Sequence, residues 1–84
     1  MAIRVYKVID DNGEIAFKEV KEVPNMAMAN IIANGRAIQD KAPFVVWNTE
    51  TEIATEYKVF ESYDGEEYVY NRNMFWHGPF PGGF

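Results

Sequence analysis

Thr49-Glu50-Thr51-Glu52-Ile53-Ala54-Thr55-Glu56-Tyr57-Lys58-Val59-Phe60-Glu61-Ser62-Tyr63 is the stretch on which the fold turns. Two periodicities compete in it. Thr49-x-x-Glu52 matches a helix capping box, and Ile53, Tyr57 and Phe60 have helical spacing. Against this, Ile53, Thr55, Tyr57 and Val59 alternate with Ala54, Glu56 and Lys58, which is the period of a strand. Thr, Tyr, Val and Phe also favour strands. An internal comparison tips the balance. Tyr57-Lys58-Val59-Phe60-Glu61, followed by Asp64-Gly65-Glu66, resembles Tyr6-Lys7-Val8-Ile9-Asp10, followed by Asn12-Gly13-Glu14. Both copies read as strand, tight turn, strand. Asp64-Gly65 is then a second hairpin turn, with Glu66 to Asn71 as its return strand.

The first copy is the clearer hairpin. Ile3 to Ile9 is rich in β-formers, Ile15-Ala16-Phe17 resumes after the turn, and the hairpin runs to about Val20. Asn12-Gly13 supplies the positive φ values that a two-residue turn demands. Between the two hairpins, Asn25 is a good helix N-cap after Pro24. Met28, Ile31, Ile32, Gly35 and Ile38 follow the spacing of one buried helical face. Gly35 on that stripe predicts close approach of the helix to a sheet, and the helix is expected to reach about Asp40. The alternative is a helix that ends at Asn34-Gly35. Pro43 prevents continuation, and Phe44-Val45-Val46-Trp47 reads as a central strand. The expected architecture is α+β, in the order ββαβββ. A mostly antiparallel sheet has one helix packed on one face.

Residues 1–71 form that domain, and residues 72–84 form a tail of different composition. It carries Pro79, Pro81 and three glycines, with Phe75, Trp76, Phe80 and Phe84 strongly apolar. An irregular aromatic tail calls for a surface. It packs back over the open sheet face, or it docks on a partner with Phe80 to Phe84 as the docking piece.

Bulk composition narrows the function classes. Eighty-four residues make one domain. Without cysteine there is no disulfide, no thiolate metal site and no cysteine nucleophile. A reducing, cytoplasmic setting is the natural expectation, since no signal peptide is visible and no apolar run approaches the ~20 residues of a membrane span. The formal charge is −5. Residues 50–67 hold seven carboxylates against Lys58 alone, a local net of −6, so the remainder nets +1. That balance argues against direct nucleic-acid binding, which draws on Lys and Arg. Tyr57, Tyr68 and Tyr70 on one sheet face would suit base stacking, but their neighbours are Glu rather than Lys or Arg.

No catalytic, metal or cofactor residues are assigned. Ser62 and His77 are the only Ser and His, and neither sits in a nucleophile context. Asp10, Asn12 and Glu14 resemble a calcium loop only until Gly13 arrives too early. Glu50 and Glu52 on one strand face would stand about 6.6 Å apart, a spacing that could suit glycosidase chemistry, but a chain this short offers little cleft.

The best expectation is a non-enzymatic protein-binding module. Glu50, Glu52, Glu56, Glu66 and Glu67 would steer it towards a basic groove of a protein partner, and Trp76, Phe80 and Phe84 would anchor it. Acidic, cysteine-free domains of this size are common among phage-encoded modulators and inhibitors of host proteins. The alternative is a structural or assembly subunit that forms homo-oligomers through its C-terminal arm.

Overall fold

A computed structural model of the chain describes residues 3–74. Its elements run β1 (Ile3–Asp11), β2 (Glu14–Val23), α1 (Met26–Asp40), β3 (Phe44–Asn48), β4 (Ile53–Glu61) and β5 (Glu67–Met74). The five strands form one antiparallel sheet in the order β2-β1-β3-β4-β5. The class and element order are those the sequence indicates.

Local chemistry explains each boundary. Asn12 and Gly13 both take positive φ, 53° and 86°, and close the first hairpin in two residues. The second turn is longer. The Gly65 amide donates to the Ser62 carbonyl at 3.1 Å, and the Ser62 amide donates to the Glu66 carbonyl at 2.9 Å. Only Gly65 takes the left-handed conformation there, as in a type I turn closed by a glycine. Asn25 caps α1 by accepting from the Met28 amide at 2.9 Å. Lys41, at φ 50°, ends the helix before Pro43. The helix continues unbroken through Asn34-Gly35.

Thr49 to Glu52 is neither helix nor strand. The Asn48 side chain accepts from the amides of Glu50 (2.9 Å) and Thr51 (3.2 Å), and the Asn48 carbonyl accepts from the Glu52 amide at 2.8 Å. These bonds close a four-residue turn between β3 and β4, so the capping box is not realised. At the other end of the second hairpin, β5 runs three residues beyond Asn71, to Met74.

One expectation about the helix is overturned. The face against the sheet is Ala29, Ala33 and Ala37, all fully buried. Ile32 packs at its margin, whereas Met28, Ile31 and Ile38 face outward. The cause is volume. The sheet already presents Phe44, Val46 and Tyr57 to the helix, and a second layer of large side chains would overfill the space. Alanine spaced by four lets the backbone come close, and the Tyr57 hydroxyl reaches across to donate to Asn30 Oδ1. Gly35 is not a contact point either, since a Cβ built there meets nothing within 4 Å.

A second buried cluster lies on the opposite sheet face and comprises Tyr6, Val45, Trp47 and Ala54, with Val8, Phe17 and Met74 at its edge. The sheet therefore has an apolar row on each side, and β3, buried on both faces, is its spine.

Candidate functional site

Register decides which side chains share a surface. β3 is short and pairs with β4 only from Phe44↔Tyr57 to Asn48↔Ile53. It pairs with β1 only from Lys7↔Phe44 to Ile3↔Asn48. The two hairpins therefore overhang β3 at the same end of the sheet. Lys58 to Glu61 pairs there with Glu67 to Tyr70, and Val8 to Asp11 pairs with Glu14 to Phe17.

On the second overhang, Lys58↔Tyr70 and Phe60↔Tyr68 stand opposite each other on the face away from the helix. Phe60 and Tyr68 have ring centroids 5.5 Å apart, and Phe60 and Tyr70 are edge-to-face at 5.8 Å. All three remain open, at 49%, 44% and 44% exposure, and Tyr63 at the turn is fully exposed. Two turn carboxylates, Asp64 and Glu66, border this aromatic face at one end, and Lys58 stands opposite Tyr70 at the other. Tyr68 donates its hydroxyl to Glu66 at 2.5 Å, and that carboxylate raises the Tyr68 pKa above the usual 10.0. Asp64 accepts from the Ser62 hydroxyl and from the Glu66 amide, which hold its carboxyl below the usual 3.8. Glu67 lies on the helix side, 3.9 Å from Lys41.

The structure separates the carboxylates that the sequence groups. Glu50 and Glu52 sit in the β3–β4 turn, not on a strand face, so they make no strand-spaced pair. That turn and Glu66-Glu67 lie at opposite ends of β4, which spans about 27 Å at ~3.4 Å per residue. Glu56 lies midway along β4. It takes Arg72 at 3.2 Å and Lys58 at 3.9 Å, with its side chain 15% exposed. Its charge is matched within the sheet, which leaves little for steering. Trp76, Phe80 and Phe84, the choice between a packed and a docked tail, and His77 lie outside the described residues.

Sequence reasoning missed the aromatic face. Tyr57, Tyr68 and Tyr70 do not share a surface. Tyr57 is core on the helix side, where burial pushes its pKa up. Tyr68 and Tyr70 join Phe60 on the other side. The signal was present in the alternation of β4, but it needed the register to say which set faces out.

The Ser62 hydroxyl is engaged by a turn carboxylate and by the Glu66 carbonyl. Among the described residues no group of three or more His, Cys, Asp or Glu gathers to hold a metal ion. A recess of about 110 Å³ lies between Lys41-Ala42-Pro43 and Lys58-Val59, and a wider one of about 400 Å³ lies between α1 and β2 beside Val20, Ile32 and Gly35. No described helix is long and apolar enough to cross a membrane.

No family model matches this chain, and neither a curated protein nor a solved structure does.

Proposed function

We propose that this chain is a non-enzymatic protein-binding module that modulates a protein partner by occupying a basic surface on it. The reading rests on one observation. The outer half of the second hairpin carries an exposed Phe60–Tyr68–Tyr70 cluster bordered at the turn by Asp64 and Glu66. Interfaces concentrate their energy in central aromatics, with a polar rim that excludes water and steers encounter. Aromatic side chains have only two side-chain torsions, so covering them costs little entropy for the area buried. The carboxylate rim disfavours phosphate and so disfavours nucleic acid as the direct ligand. Glu66 keeps its steering role in this proposal, whereas Glu67 lies on the helix side beside Lys41. Glu50 and Glu52 supply a second, separate acidic point, at the sheet end where β5 finishes at Met74.

The test is comparative capture from the lysate of the native cell. The wild-type chain should retain a protein that the Tyr68→Ala/Tyr70→Ala chain loses. That retention should weaken by an order of magnitude or more as salt rises from low to high, because rim charges are screened. Capture that is flat with salt and indifferent to both tyrosines would sink the reading.

A further inference from the structure

The outer face of α1 carries Met28, Ile31, Gly35 and Ile38 at steps of three, four and three. That spacing is the a/d seam of a helix pair, and here it points away from the sheet. Ile31 is 72% exposed, the most open large aliphatic side chain among the described residues. Met28 and Ile38 are each more than two-fifths exposed. Gly35 opens a groove of about 400 Å³ between the helix and β2, walled by Val20, Ile32, Lys21 and Arg36. Isolated apolar side chains on a surface are ordinary, but a continuous seam beside a groove is not.

We infer that a second copy of this chain covers the seam, with the two helices antiparallel about a two-fold axis level with position 33. The seam is self-complementary about that point. In this register Ile31 faces the other copy's Gly35, and Met28 faces its Ile38. The most protruding side chain thus meets the position where a Cβ would find open space. Glycine lets the backbones approach, and each Ile31 enters the other copy's groove.

Charge supports the same occupant. The chain is −5 overall, yet no carboxylate falls between Met26 and Gln39. The first one, Asp40, is already held by Lys7 at 3.3 Å and Arg36 at 3.7 Å. Like carboxylates therefore do not meet across the axis. A self-contact through any of the acid-rich turns would set carboxylate against carboxylate. The 15-residue helix is about 22 Å long, so the interface falls at the small end of specific contacts and dissociates in the micromolar range or above. Such a dimer leaves the opposite sheet face and both hairpin overhangs free, and it presents the proposed binding face twice.

Sedimentation equilibrium of the full chain, from about 10 µM to about 1 mM, tests this. The expected result is a monomer–dimer equilibrium. Ile31→Lys should weaken it at least tenfold with an unchanged circular dichroism spectrum, because the side chain is mostly in water in the monomer. Removing residues 78–84 should leave it in place. The chain has no cysteine, so the register has its own readout. Ile31→Cys chains mixed with Gly35→Cys chains should form the mixed disulfide in preference to either homodimer. A chain that stays monomeric to 1 mM overturns the inference. So does a dimer indifferent to Ile31→Lys, or one lost with residues 78–84.

Discussion

In the first hairpin, Tyr6 points away from the helix and Lys7 points towards it, where it meets Asp40 at 3.3 Å. In the second hairpin, Tyr57 points towards the helix and Lys58 points away, to Glu56. The two strands carry nearly the same residues and flank the same β3. Across Phe44, however, it is Lys7 and not Tyr6 that stands level with Tyr57. A one-residue offset exchanges the faces of every side chain. Val8 and Phe17 in the first hairpin consequently pack against the Tyr6–Trp47 cluster. In the second hairpin it is Val59 and Val69 that join the helix-side core, and Phe60, Tyr68 and Tyr70 are left open. The offset in register leaves the first hairpin packed into the core away from the helix and the second with its aromatics open on that face.

The largest test of that contrast is on the paired tyrosines. Tyr6→Ala and Tyr57→Ala should each cost about 3–5 kcal/mol by urea denaturation, since both are fully buried on their own faces. Tyr57→Phe should cost only ~1 kcal/mol, the hydrogen bond to Asn30. If one tyrosine to alanine change is harmless, the two-faced core is wrong.

The next test separates the hairpins. Phe17→Ala should lower stability by roughly 2 kcal/mol, whereas Phe60→Ala, made at a half-exposed ring, should change it by less than about 1 kcal/mol. Equal losses would erase the distinction. The turns should respond alike, because Gly13 (φ 86°) and Gly65 (φ 84°) both need the left-handed region. Either one changed to Ala should cost about 1 kcal/mol.

Titration gives the smallest effects and distinguishes the two ends of the pH scale. Burial raises the pKa of both Tyr6 and Tyr57. Their contribution is complete below the unfolded value near 10 and is lost as pH rises through the folded values. Asp64 runs the other way. Its folded pKa is depressed, so its contribution is present above the usual 3.8 and is lost as pH falls through the folded value. The protection factor of the Glu66 amide, bonded to Asp64, should fall first on acidification. A Glu66 amide that stays protected until global acid unfolding would contradict this.

Much of the fold is legible in the residues. Asn12-Gly13 and Asp64-Gly65 mark the turns, Asn25 and Pro43 bound the helix, and the alternation in Ile53 to Val59 outweighs its helical spacing. What fails is orientation. Periodicity alone puts the larger side chains of α1 inward, but Ala29, Ala33 and Ala37 share the same periodicity and fit a sheet already filled by Phe44 and Tyr57. Hydrophobicity ranks the stripes one way, and volume ranks them the other. The acidic run fails for a related reason. It is contiguous in sequence, but β4 stretches it between two ends of the sheet, and Glu56 is neutralised on the way by Arg72 and Lys58. Neither the offset between β1 and β4 nor the packing of the helix is written in any local window.

The claim that register makes the second hairpin the presenting one is tested most directly by capture with matched variants. Tyr68→Ala/Tyr70→Ala and the exposed first-hairpin pair Glu14→Ala/Lys18→Ala are compared with the wild-type chain in native lysate, after equal stability has been confirmed by urea. The account predicts that the protein retained by the wild type is lost by the tyrosine variant, by tenfold or more, and kept by the first-hairpin variant. Retention by the tyrosine variant, or loss by the first-hairpin variant alone, would contradict it.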